Sequence, residues 1–199
     1  LMNETLLKSY RALMVIIYAY EICLYVKMDG MHAVVAFIIF LTQWGHILTF
    51  AYFAYALYSN NTRAKAAHLH VVLALELAIT ILFWGVEYPR MPRNGPLYDR
   101  KEHFSMFFGS FITYVIYYLH IFPLASLVGD WLLSGLALDY SGYRRYLMLV
   151  FSYLGWNAVL VLGLGLKVYN SVKYETVADY VRLAVSVAIG LGSYAMPVV

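Results

Sequence analysis

Six long apolar runs, separated by short polar ones, divide the chain: Tyr10 to Val26, Ala33 to Tyr58, Ala67 to Tyr88, Phe104 to Val128, Tyr146 to Tyr169, and Asp179 to Pro197. A hydrocarbon core about 30 Å thick is crossed by about 20 helical residues. The pattern therefore predicts an all-α, polytopic integral membrane bundle of about six transmembrane helices, forming a single domain over residues 1–199. Transmembrane strands would alternate apolar and polar positions over segments of about ten residues. Val34-Val-Ala-Phe-Ile-Ile-Phe-Leu41 is continuous instead, which excludes that pattern.

The breaks are well marked. Lys27 to Gly30 closes the first run, and Asn60 to Lys65 separates the second from the third. Pro89, Pro92 and Pro96 end the third, because proline lacks the amide hydrogen that a helix needs. The first run follows Lys8 and Arg11 as a signal sequence would, but it contains Glu21 and no small-residue cleavage site follows it, so it is read as a span that stays. Asp130 to Tyr140 is too short to cross and too apolar for an ordinary loop. It is expected to lie along the interface as a short amphipathic piece.

Composition narrows the function classes. Hydrophobic residues make up 63% and charged residues 13%, with a mean hydropathy of +0.69, whereas soluble domains carry about a quarter charged residues. Aromatics reach 18%, led by 20 Tyr, as expected of interfacial belts. A single cysteine, Cys23, removes a disulfide framework and a cysteine-built zinc site. The net charge of +3 is spread thinly, with no basic run to follow a phosphate backbone, so nucleic acid is not an expected partner. Nor is a cofactor. Two embedded histidines could ligate one haem at most, and His68-Leu-His70 diverge on a helix and chelate poorly.

Candidate chemistry lies in the polar residues within the runs: Glu21, His46, Glu76 and His120, with Asp130 nearer an interface. An ionisable group at membrane depth costs about 2.5 to 3.5 kcal/mol on insertion scales, so each needs compensation. Thr42, His46 and Thr49 stand at i, i+4 and i+7 and share one stripe of a helix. Ser110, Thr113, Tyr117 and His120 make a second stripe, followed by Pro123. A threonine hydroxyl facing His120 would supply a nucleophile and a base, and Glu76 or Tyr117 could orient the ring. The bland alternative is structural: threonines bonded to their own helix carbonyls, histidines to a neighbouring helix, and neutral carboxyls to tyrosine or histidine. For Glu21 and Glu76 that reading is preferred over a proton path.

The arrangement resembles the androgen-induced and androgen-dependent family of multi-span membrane proteins. The likeness rests on Trp44-Gly-His-Ile-Leu-Thr-Phe50, on Phe83-Trp84 with Tyr88-Pro89, and on His120-Ile-Phe-Pro123. The Trp44-to-Thr49 and His120-to-Pro123 spacings depart from the family's. The resemblance implies a threonine hydrolase that cleaves fatty acid esters of hydroxy fatty acids, in a site within the membrane that admits lipid esters sideways. Thr49 would be the nucleophile and His120 its partner, with Thr42, His46, Glu76 and Tyr117 as a supporting polar face. A divergent member could have lost the chemistry and kept the lipid pocket.

A second reading comes from another class. A small, aromatic-rich, loop-poor chain also fits a noncatalytic, lipid-binding accessory subunit of a larger membrane assembly, such as a mitochondrial respiratory or ATP synthase complex. Expected partners are membrane lipids and, in this reading, other membrane subunits. The expected location is the endoplasmic reticulum or the mitochondrial inner membrane.

Overall fold

A computed structural model describes residues 4–91, 103–105, 109–166, 168–169 and 175–195. Helix α1 (Glu4–Asp29) is followed by α2 (Met31–Ile39), α3 (Leu41–Tyr58) and α4 (Thr62–Leu82). A π-helical turn, Phe83–Glu87, and a 3-10 turn, Tyr88–Arg90, prolong α4. A short antiparallel pair, β1 (His103–Ser105) and β2 (Gly109–Ser110), leads into α5 (Phe111–Ser134), which contains a π-helical turn at Tyr114–Tyr118. Helix α6 (Tyr143–Ala158) continues through a π-helical turn at Val159–Gly163, and α7 is Val177–Ala195.

The fold is thus helical apart from one two-stranded pair. Among the described residues, three helices are long and apolar enough to cross a membrane: Thr62–Arg90, Phe111–Ser134 and Tyr140–Gly163. The bent pair α2 and α3 makes a fourth if its arms form one span. The fourth predicted span starts later than its apolar run, at Phe111, because Phe104 belongs to β1. Asp130 to Tyr140 does not form a separate amphipathic piece. Its first five residues finish α5, and Gly135, in the left-handed conformation at φ 62°, ends the helix there. Pro92, Pro96, Met196 and Pro197 lie outside the described residues.

The second predicted span departs most from expectation. It is two helices that meet at 91°, with Phe40 extended between them. No proline causes the break, so its backbone groups must be satisfied from elsewhere, since an unpaired one costs several kcal/mol in an apolar medium. Two indoles do so at the end of α2: Trp44 Nε1 and Trp156 Nε1 donate to the Ile38 carbonyl at 3.2 and 2.9 Å. The Tyr153 hydroxyl donates to the Ile39 carbonyl at 3.0 Å, and the Leu41 amide donates to the Tyr169 hydroxyl at 3.1 Å. The Phe40 carbonyl accepts from the Gln43 and Trp44 amides.

Helix α4 is the central rod. Asn61 caps it by accepting from the Ala64 amide at 2.9 Å, and most of its length from Ala66 to Ile79 is buried, packed against α3, α5 and α7. A buried ion pair joins three helices near the end of α5. Arg11 Nε and Nη2 donate to the two Asp130 oxygens at 2.7 and 3.0 Å, Nη1 reaches the Ala56 carbonyl, and the Tyr52 hydroxyl donates to Asp130. Asp130 is wholly buried between α1, α3 and α5, with its counter-ion beside it. Asp130→Ala would leave Arg11 buried without that counter-ion, an expected cost of about 3–5 kcal/mol. Thermal unfolding of the detergent-solubilised protein should fall accordingly, and Arg11→Met with Asp130→Leu should recover most of the loss.

Candidate functional site

The 91° break places Thr42 in the first turn of α3, directly after the extended Phe40. Opposite stands His120 of α5, two residues beyond the end of the π-helical turn at Tyr114–Tyr118. A π turn widens the helix and disturbs the regular carbonyl ladder, and such turns concentrate at functional sites. Here His120 Nδ1 lies 3.0 Å from the Val115 carbonyl and 3.2 Å from the Ile116 carbonyl. Carbonyls only accept, so Nδ1 carries the hydrogen and, in the neutral ring, Nε2 presents its lone pair. Thr42 Oγ1 is 3.2 Å from Nε2 and donates to it.

Two groups from α4 fix the rest of the imidazole. Phe83, opening the π-helical turn at the end of α4, stacks on the ring with centroids 3.4 Å apart and planes 12° apart. The Thr80 hydroxyl donates to the His120 carbonyl at 2.9 Å. His120 is therefore held at an edge, at a face and at its backbone.

The pair opens on an apolar cleft of about 130 Å³. Leu75, Ile79 and Leu82 of α4, Val150 and Leu154 of α6, and Leu183 of α7 form its greasy walls. Thr42, His120, Tyr153, Tyr169 and Asn157 supply polar lining, and Glu87 also faces it. An apolar trough with a few convergent polar groups is the usual form of a small-ligand site. The cleft is apolar along its length, with Thr42 and His120 at its polar wall. No group of three or more histidine, cysteine or carboxylate side chains is placed to hold a metal among the described residues.

The other expected residues are drawn elsewhere. Thr49 is fully buried, donates to Glu76 Oε1 at 3.2 Å and does not line the cleft. Both nitrogens of His120 are already engaged, so the ring's hydroxyl partner is Thr42 and not Thr49. Glu76 seats against Gly45, where an added Cβ would overlap Glu76 Oε1 and approach Ile79 Cδ1 to 2.7 Å. His46 Nε2 lies 3.0 Å from Glu21 Oε2, both side chains buried, in a contact that lacks hydrogen-bond geometry. The same ring meets Tyr18 edge-on at 4.8 Å. Tyr117 is 47% exposed and tilts on Trp84. Neither Glu76 nor Tyr117 orients His120; the two backbone carbonyls do.

Sequence reasoning missed Tyr153, Tyr169, Asn157, Phe83 and Arg11. Phe83-Trp84 carries only a family likeness in the sequence, and nothing in the spacing of Tyr153 and Tyr169 ties either to the second run. Comparison with family models, curated proteins and solved structures finds no match.

The tautomer is directly measurable. In protein labelled with nitrogen-15 histidine, His120 should show a protonated Nδ1 and an unprotonated, hydrogen-bonded Nε2. Thr42→Val should shift the Nε2 resonance toward that of a free imine nitrogen, while Thr49→Val should leave it in place.

Proposed function

We propose that the protein is an integral membrane lipid-ester hydrolase whose nucleophile is Thr42 and whose general base is His120. The carrying observation is the 3.2 Å contact between Thr42 Oγ1 and His120 Nε2 at the wall of an apolar cleft. In this reading α1 and α7 join the longer helices as spans, six in all, in the endoplasmic reticulum or the mitochondrial inner membrane. Support comes from large apolar side chains turned outward on several helices, such as Ile16, Ile38, Leu162 and Val181. Water disfavours so much exposed apolar surface, and lipid does not.

The reaction needs only groups at the cleft and a water. Thr42 Oγ1 attacks the ester carbonyl carbon while its proton passes to His120 Nε2. The bond to the alcohol then breaks, and the departing alkoxide takes that proton from Nε2. Water, deprotonated by the same nitrogen, then adds to the acyl carbon; the bond to Thr42 Oγ1 breaks, the acid leaves, and Oγ1 takes its proton back from Nε2. Threonine is a weak nucleophile unless a base lies within hydrogen-bond reach, which Nε2 does. The family likeness assigned this role to Thr49; the geometry favours Thr42, seven residues earlier on the same stripe.

A second reading keeps the cleft and drops the reaction. A noncatalytic subunit of a larger membrane complex would hold a lipid between α4, α6 and α7. The outward apolar face of α6, including Met148 and Phe151, suits a protein neighbour as well as it suits lipid.

A fluorophosphonate probe separates the two. The purified protein in nanodiscs should label at Thr42, hydrolyse a medium-chain fatty ester and lose both with Thr42→Ala. Replacing His120 with Gln should lower kcat by about 10²–10⁴, the usual contribution of a positioned base. Thr49→Ala should melt at a lower temperature, because Glu76 loses its partner, yet still label. Inert wild-type protein that co-purifies in fixed ratio with other membrane chains would favour the subunit reading.

A further inference from the structure

Tyr169 is the last residue of the fifth apolar run, and its side chain lines the same cleft as Thr42 and His120. Its hydroxyl oxygen accepts twice. The Leu41 amide donates to it at 3.1 Å and the Tyr153 hydroxyl at 3.1 Å, the latter sharing its hydrogen with the Ile39 carbonyl at 3.0 Å. Two accepted bonds leave the phenol only its hydrogen to give. No acceptor for that hydrogen stands among the described residues. A phenol in an apolar cleft with an unspent donor is costly unless something that enters the cleft receives it.

The tether also fixes where that donor stands. Leu41 is the residue before Thr42, and consecutive Cα atoms are about 3.8 Å apart, so the phenol is tied to the backbone one residue before the nucleophile. Phe40, at the break itself, meets the Tyr169 ring edge-on at 6.0 Å and restricts its movement.

We propose that Tyr169 is a further catalytic residue, donating its hydroxyl hydrogen to the carbonyl oxygen of an ester bound against Thr42. The proposal rests on the hydrolase reading above. When Thr42 Oγ1 bonds to the carbonyl carbon and its proton moves to His120 Nε2, the π pair of the carbonyl passes to oxygen. The phenol meets that negative charge with a hydrogen bond and keeps its own proton. As the pair returns, the bond to the alcohol breaks and the hydrogen bond weakens. A donor fixed in advance where charge develops is among the largest contributions to such reactions.

Tyr169 could instead only prop the break between α2 and α3, and the control must test that role. Trp156 props the same break, through the Ile38 carbonyl, and does not line the cleft. The experiment compares wild type, Tyr169→Phe and Trp156→Phe in nanodiscs, using a p-nitrophenyl ester of a medium-chain acid and the fluorophosphonate probe, with melting temperatures alongside. Loss of one such donor typically lowers kcat by about a hundredfold or more. Tyr169→Phe should show that fall with KM little changed and labelling at Thr42 slowed in parallel, while Trp156→Phe loses comparable thermal stability and keeps most of its kcat. Equal losses of kcat in the two variants, or a change confined to KM, would overturn the assignment. If wild type turns over and Tyr169→Phe matches it, this role alone falls. If wild type neither turns over nor labels, the hydrolase reading falls and takes this role with it.

Discussion

The candidate site depends on one constraint: backbone groups exposed by a sharp bend in apolar surroundings must find partners. At Phe40 the chain turns through 91° without a proline, and the Ile38 and Ile39 carbonyls and the Leu41 amide lose their places in a helix. Trp44, Trp156, Tyr153 and Tyr169 replace them. The bend is therefore bonded on both sides, and the residues that support it line or adjoin the cleft. Had α2 and α3 been one straight helix, Thr42 would lie mid-rod, its amide tied to the preceding turn and no phenol anchored beside it.

A second irregularity answers the first across the cleft. The π-helical turn before His120 offers two carbonyls to one imidazole nitrogen, and so fixes which nitrogen faces Thr42. The backbone alone performs that orientation. A second π-helical turn, at the end of α4, supplies the stacked Phe83. Regular helices would give a tighter bundle, and these departures cluster where the polar chemistry stands.

The remaining polar residues are used for assembly. Thr42, His46 and Thr49 do share a stripe of α3, but each meets a different helix: α5 through His120, α1 through Glu21 and α4 through Glu76. Arg11 and Asp130 join α1 to α5 with Tyr52 of α3 between them. Buried polar pairs of this kind fix register between rods whose apolar faces alone would tolerate sliding. The stripe therefore makes three separate contacts, each with a different helix.

The sequence by itself determined the helical class, the apolar class of the chain and, of the buried polar groups, Glu21, His46, Thr49, Glu76, His120 and Asp130. Helix periodicity and the transfer cost of charge are local properties, which a single chain displays along its length. It also put Thr42 and His120 among the candidates. Only the tertiary structure decided that these two meet, that Thr49 turns to Glu76, and that Tyr169, distant in sequence, closes the bend at Leu41. The physical reason is that a stripe specifies a direction around one helix but not the depth and identity of what faces it. Those are set by the bend at Phe40 and the π-helical turns, whose stability comes from hydrogen bonds to side chains as many as 128 residues away.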